Sequence, residues 1–487
     1  MIGAYATLAA VTDAAPSSPR PSDAAPAMTA DDLVRLTGGR LLARFDRPIR
    51  GGAVDSRLVR PGELFVALPG GRTDGHLFLD EAVERGAAAL LVTRQPADPT
   101  AYGDVTIVRV VDALAALAAV AAGWRQRFDP LVVGITGSIA KTSTKEAIAT
   151  VLAASRPTLK SEGNQNNEIG LPLTLLRLGP EHRAAVLEMG MYVGGEIADL
   201  AAMGRPSIGV LTAVQAVHLS RIGTIEAVEA AKGELLEALP PDGTAVLNAD
   251  DPIVTRMDRR SVAPAVRYGF ADEADVQATD VVSSGTDGMR FRLRTPAGSR
   301  QVAIPALGRL SVHNAAAATA VGLAAGMDLD AIARALGTGW AAPHRVELVP
   351  LRGMTVIDDS YNASPGSVTA ALELLGELRG RHVAVLGEML EMGDAHESGH
   401  FTVGEAAGAL VDLLVVVGDD AGGIVAGALQ AGLDPTRIHV APDAESAVDV
   451  LRPRLREGDV VLVKASRGIG LDRLVDALRL EMGEAAR

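Results

Sequence analysis

The chain has 487 residues, 48% of them hydrophobic and 22% charged, with a net charge of −14. That length divides into about three domains and supports several buried cores, while the acidic balance leaves no basic stripe for a nucleic acid. Cysteine is absent, which excludes disulfides, thiolate nucleophiles and Cys-ligated metals.

Residues 1–28 are rich in Ala, Pro and Ser without an early basic stretch, which predicts a disordered tail and not a signal peptide. Met28 is an alternative start, because ordered patterning begins just after it. Over 29–110 short strands and turns alternate with one or two helices, and Pro61 to Leu68 reads as a turn entering a strand. A second unit, 111–342, opens with a predicted helix over 112–128, then a strand from Leu131 to Thr136, a glycine-bearing loop and a helix from Lys141 to Ala154. Predicted strands from Ala184 to Met189 and from Ile208 to Val214, with helices between, continue an α/β alternation. Residues 262–310 turn β-rich, and a helix is predicted from Asn314 to Ala325. From 343 to 487, five predicted strands begin at Thr355, His382, Leu413, Ile438 and Val460 and are separated by helical segments. That pattern predicts a parallel, doubly wound sheet. The longest apolar run, Val110 to Gly123, contains Asp112 and is too short to cross a bilayer.

Lysine and arginine together number 46, and only five of these are lysines: Lys141, Lys145, Lys160, Lys232 and Lys464. A primary ammonium is a compact charge that can lose its proton and act as a nucleophile; a guanidinium is planar and permanently charged. The retained lysines therefore mark places to look for chemistry. Gly134 to Ser143 lies between a predicted strand and helix, as a phosphate loop requires, with backbone N–H groups, Lys141 and the Thr142 hydroxyl available to phosphates and Mg²⁺. A plain strand–turn–helix is the competing reading. Ala140 stands where glycine is usual and is acceptable there only at negative φ. Lys145, beside Glu146, reads as a solvated helix residue, and Lys232 as a helix-surface partner of Glu229. Glu188 and His218 end or follow strands, where ligands collect in an open α/β sheet, although strand ends also carry such residues for structural reasons.

Taken in order from about residue 35 to 475, these segments resemble the Mur ligase family. The closest likeness is to its members that use ATP to join D-alanyl-D-alanine to UDP-N-acetylmuramoyl-tripeptide. The resemblance implies a small α/β UDP-binding N-terminal domain, a central P-loop mononucleotide-binding domain and a C-terminal Rossmann-like doubly wound domain. Asp55-Ser56-Arg57 and Gly71 to His76 look like the family's UDP-recognising segments, which makes Ser56 and Arg57 substrate candidates. The loop Thr136-Gly137-Ser138-Ile139-Ala140-Lys141-Thr142-Ser143 is similar to the family's T-G-x-N-G-K-[ST], departing at Ile139 and Ala140. Lys160 to Pro172 is similar to a segment near the muramyl-peptide site, which brings in Asn164, Asn166 and Asn167.

By the same likeness, Glu188, His218 and Lys232 match metal-ligand segments, to which Thr142 is added, and Lys232 aligns with a lysine carried as an N-carboxylated residue. Lys141, Lys232, Glu188 and His218 would form the catalytic set. Asn248, Asn314, Arg345 and Asp359 match nucleotide-contacting positions, whereas Tyr361, Asn362, Lys464, Ser466 and Arg467 match substrate-binding segments of the third domain. ATP and two Mg²⁺ ions are the implied cofactors. The two implied substrates are the UDP-muramyl-tripeptide and D-alanyl-D-alanine, and a cytoplasmic monomer without membrane insertion is expected. Diaminopimelate-adding members usually carry D-N-P-R, which this chain lacks, and folylpolyglutamate synthetases read D-G-A-H-N-P where it has Asp359 to Pro365. A ligase for another amino-acid acceptor and an inactive UDP-muramyl-peptide-binding homologue are the alternatives. The second rests on Ile139 and Ala140.

Overall fold

The computed structural model describes residues 26–70, 73–215 and 222–483. Three sheets follow one another along the chain. The first has five strands in the order Arg40–Ala43, Thr106–Arg109, Ala89–Val92, Leu64–Val66 and Gly52–Ala53. Its first pair is antiparallel and the rest are parallel. Ala89–Val92 is apolar throughout and wholly buried, as a strand covered on both faces must be.

The second sheet has nine strands, seven of them consecutively parallel: Thr158–Lys160, Ala184–Glu188, Leu131–Thr136, Ile208–Leu211, Thr244–Asn248, Ala265–Gly269 and Val276–Ser283. Met289–Thr295 and Gly298–Ile304 extend it as an antiparallel hairpin. From Leu131–Thr136 the chain winds first to one side, through Thr158–Lys160 and Ala184–Glu188, and then to the other, beginning with Ile208–Leu211. Such a reversal opens a crevice at the carboxyl ends of the strands. Because Ile135 lies opposite Glu188 in the parallel register, that carboxylate is delivered beside the loop leaving Thr136.

The third sheet has six strands. Five are parallel, in the order Met354–Asp358, Asp459–Lys464, Arg381–Gly387, Leu413–Val417 and Ile438–Ala441. An antiparallel edge strand, Glu347–Leu351, precedes them. The sequence does not predict that strand because Pro350 argues against one; an edge tolerates it. Thr158–Lys160, only three residues long, and Thr244–Asn248 also go unpredicted. The helix expected from Asn314 begins earlier, at Gly308, and runs to Ala324.

Leu117, Val120 and Trp124 of the helix Ala113–Arg125 join one apolar cluster with Leu33 near the first sheet and Leu235 near the second. The first two units thus share a core across the expected boundary at 110. No helix among the described residues is long and apolar enough to cross a membrane.

Candidate functional site

The strand Leu131–Thr136 ends in a loop that enters the helix Lys141–Ala153. Gly137, at φ 151°, packs so closely that an added Cβ would lie 1.9 Å from Thr212 Oγ1. Thr212 Oγ1 in turn donates to the Ile139 carbonyl at 2.6 Å, and Ser138 N donates to the Ala213 carbonyl at 2.8 Å. The loop is therefore pinned from the neighbouring strand. Ala140 takes φ 63°, the left-handed conformation that glycine would adopt without strain. The sequence-based condition of negative φ is not met: the turn keeps a glycine shape, at a cost of about 1–2 kcal/mol.

Lys141 Nζ folds back to donate to the Gly137 carbonyl at 2.7 Å. Burial lowers its pKa, with the attraction of Glu188 opposing the shift. Thr142 Oγ1 donates to Glu188 Oε2 at 2.9 Å, and Asn166 Nδ2 donates to Glu188 Oε1 at 2.8 Å. Both carboxylate oxygens of Glu188 are thus oriented by residues the sequence singles out. The Asn167 side chain accepts from Gly170 N at 2.9 Å at the start of the helix Gly170–Leu176, and the residue shares a cavity with Glu188. Asn164 is exposed.

Lys232, on the helix Ile225–Glu237, is 2% exposed and lines the same cavity. Glu229, its expected partner, pairs with Arg256 instead. Among the described residues no side chain forms an ion pair with Lys232. Burial and the positive charge of Lys141 push its ammonium well below the usual lysine range. His218, expected to complete this group, lies outside the described residues.

Lys145 corrects the sequence reading outright. It has no exposure, and its Nζ lies 3.2 Å from Glu146 Oε1, 3.7 Å from Glu188 Oε2 and 3.3 Å from the Gly163 carbonyl. Its helix has no free face there, because the sheet covers one side and the helix Gly308–Ala324 packs on it as well. Glu146 also holds Lys160.

Across the cavity, Asp358 and Val463 are register partners, so Asp359 and Lys464 emerge side by side. Lys464 is 2% exposed and donates to Asp359 Oδ2 at 2.5 Å and to the Asn362 carbonyl at 2.9 Å. Burial pushes Asp359 up, against the pull of Lys464. Tyr361 lies between two guanidinium groups, Arg345 at 4.1 Å and Arg467 at 5.0 Å from its ring centre, and accepts a hydrogen bond from Arg467 at 2.8 Å. Ser466 Oγ accepts from Leu390 N at 2.9 Å and so braces a neighbouring loop. His344, Glu347 and Asp358 stand close enough to share a cation, but Arg479 holds Glu347, Ser360 holds Asp358, and His344 bonds to Asp358 at 2.8 Å. That cluster reads as a clasp at the entry to the third sheet.

Between these walls lies a cavity of about 2280 Å³, lined by the phosphate loop, Glu188, Lys232, Asn248, Asn314, Arg345, Asp359, Tyr361, Lys464 and Arg467 among others. The volume exceeds what one small ligand needs. Asn248 donates to the Thr212 carbonyl at 2.7 Å and contacts His313 Nε2 at 2.9 Å, while Asn314 accepts from Thr144 at 2.9 Å. The sequence does not single out Phe270, which also lines the cavity and lies under Arg309 at 4.5 Å. Ser56 and Arg57 are not brought to this cavity: Ser56 donates to Glu81 at 2.6 Å and Arg57 folds onto Asp55 at 2.7 Å.

An open α/β crevice with a phosphate loop, a held carboxylate and a second α/β unit facing it defines a nucleotide-dependent transferase or ligase site. The chain matches the Mur ligase catalytic domain over residues 48–125, the Mur ligase middle domain over 135–322, and the Mur ligase glutamate ligase domain over 344–467. It is 38% identical over 462 residues to the UDP-N-acetylmuramoyl-tripeptide--D-alanyl-D-alanine ligase of Escherichia coli K12, covering 93% of this chain and 98% of that one. In structure it is similar to MurF from Acinetobacter baumannii, with TM-score 0.83 and 28% identity over 94% of this chain and 100% of that one. It is also similar to the MurF ligase of Thermotoga maritima in complex with ADP, with TM-score 0.78 and 29% identity over 89% and 98% of the two chains. The chain belongs to the Mur ligase family.

Proposed function

We propose that this chain is a MurF-type enzyme of the cytoplasm, which uses ATP to add D-alanyl-D-alanine to UDP-N-acetylmuramoyl-tripeptide for peptidoglycan precursors. The observation that carries this reading is one cavity walled by Lys141, the Thr142–Glu188 pair and Lys232 on one side and by Lys464–Asp359 and Tyr361 on the other.

A carboxylate is a poor electrophile because its leaving group would be oxide. The tripeptide's terminal carboxylate attacks the γ-phosphorus of ATP, ADP leaves, and an acyl phosphate results. The dipeptide amine then attacks the acyl carbon, the bond to phosphate breaks, and the amine proton departs as the amide forms. Charge on the transferred phosphoryl group faces Lys141 and the N–H groups that open the helix Lys141–Ala153. Mg²⁺, when bound, would supply further neutralisation of that charge. The Thr142 hydroxyl and the Glu188 carboxylate are oxygen donors of the kind Mg²⁺ takes. Lys232 lines the same cavity and would join them as an N-carboxylated residue; burial and the charge of Lys141 lower its ammonium pKa, which favours the neutral amine that captures CO₂. His218 would complete the set. Ser56 and Arg57 would take the UDP end, and Arg467 and Tyr361 would face the dipeptide.

The test is incubation with UDP-muramyl-tripeptide, ATP, Mg²⁺ and either D-alanyl-D-alanine or single amino acids, following phosphate release and product mass. Phosphate release coupled to a dipeptide-sized mass gain is expected. Ligation of a single amino acid in its place overturns the acceptor assignment. An inactive binding homologue is the second reading, favoured by strained Ala140 in the phosphate loop; absence of ATP binding by the native protein would establish it.

A further inference from the structure

Lys145 remains unused by the mechanism, although it is the fully buried member of a lysine set reduced to five. Its ammonium offers three donors. It faces three acceptors: Glu146 Oε1 at 3.2 Å, the Gly163 carbonyl at 3.3 Å and, at ion-pair range, Glu188 Oε2 at 3.7 Å. Glu146 spends its other oxygen on Lys160. Two lysines and two glutamates therefore balance in charge. Together with Asn166, this network ties the segment from Lys160 to Glu168 to the phosphate-loop helix at three points: Lys160 through Glu146, the Gly163 backbone through Lys145, and Asn166 through Glu188 and its donor Thr142.

We propose that Lys145 is a positioning residue that couples two parts of the site, fixing the Glu188 carboxylate at the metal end and the 160–168 segment at the muramyl-peptide end. The inference rests on the functional reading above, which gives Glu188 its role, and on the likeness that places the segment holding Asn166 near the muramyl peptide. Without this ammonium the buried carboxylates of Glu146 and Glu188 face each other with one compensating charge removed, and the Gly163 carbonyl loses its side-chain donor. Arginine does not restore the arrangement. A planar fork needs more room than a compact charge at a site with no exposure, and it cannot aim its donors at three convergent acceptors.

The experiment compares Lys145→Met and Lys145→Arg with the native enzyme in the ligation assay, and measures ADP affinity without Mg²⁺ and thermal stability. In both variants KM for the UDP-muramyl-tripeptide and the half-saturating Mg²⁺ concentration should rise about tenfold or more, as happens when supports of a site are removed. KM for D-alanyl-D-alanine and the ADP dissociation constant should stay within about twofold, the split a local positioning role requires. Native values in a folded Lys145→Met overturn the proposal. So does full rescue by arginine, or a uniform loss across all substrates that tracks only a lower melting temperature. If Lys145→Met does not fold, Glu146→Gln takes its place, with a smaller rise in the same two constants expected and an unchanged tripeptide KM contradicting it. Inactivity of the native enzyme in the same assay would overturn the functional reading itself, and that result is distinct from any variant's.

Discussion

Two buried lysines face one cavity, each 2% exposed, and their surroundings could hardly differ more. Lys464 meets Asp359 at 2.5 Å and the Asn362 carbonyl at 2.9 Å, so its charge is compensated where it stands. Lys232 has no carboxylate partner among the described residues, and Lys141 repels its charged form. A buried ammonium with a counterion is a fixed cation and a clasp. A buried ammonium without one sheds its proton and becomes a nucleophile. Under the proposed function the same residue type serves as a strut on a strand of the third sheet, at Lys464, and as a reactive amine on the helix Ile225–Glu237, at Lys232, and a neighbouring carboxylate distinguishes the two.

The largest effect should come from the reactive lysine. Lys232→Ala and Lys232→Arg should each lose activity by about 100-fold or more if the side chain holds the metal. Added formate or acetate should partly restore Lys232→Ala by standing in for the missing carboxylate; full activity in Lys232→Arg would remove the distinction between the two lysines. Lys464→Met should instead act on stability, by about 3–5 kcal/mol in denaturant unfolding, because it strands Asp359 as an unpaired buried group. The double variant Lys464→Met with Asp359→Asn should recover part of that loss, and a strictly additive result would show that the pair is not coupled.

The third-domain side carries a pH limit of its own. His400 is buried, its Nδ1 bonded to the His396 carbonyl at 2.7 Å and its Nε2 accepting from Met389 N at 2.8 Å, so the neutral ring is the form that fits. Burial lowers its pKa, and the unfolded chain therefore binds a proton first as pH falls below about 6.5. His400's contribution is complete above that pH and shrinks below it, with a slope of at most about 1.4 kcal/mol per pH step of one. His400→Asn should flatten that part of the stability profile. Smallest of all, Ala140→Gly should stabilise the fold by about 1 kcal/mol through relief of the left-handed alanine and should tighten ATP binding.

The alternation of strands and helices was legible because buried parallel strands read as short apolar runs between helical segments. Edge strands were not, since Glu347–Leu351 contains Pro350 and Thr158–Lys160 spans only three residues. In the site, Lys141 and Thr142 follow from loop spacing and Glu188 from its strand end, while Lys232 gains meaning only through the family resemblance, because its burial in the cavity is not written locally. Lys145 shows the opposite failure. Its neighbours Ser143, Thr144 and Glu146 are polar, which suggests a solvated face, yet helix packing and a countercharge pair bury it completely. The scarcity of lysine was the sequence signal that could have found it.

By the proposed function Lys232, and not Lys464, is the amine free to react. Carbon-13 NMR of the protein in ¹³C-labelled bicarbonate reads this directly. One carbamate resonance is expected in the native protein, lost in Lys232→Ala. A spectrum with no carbamate, or one that persists in Lys232→Ala, would contradict it.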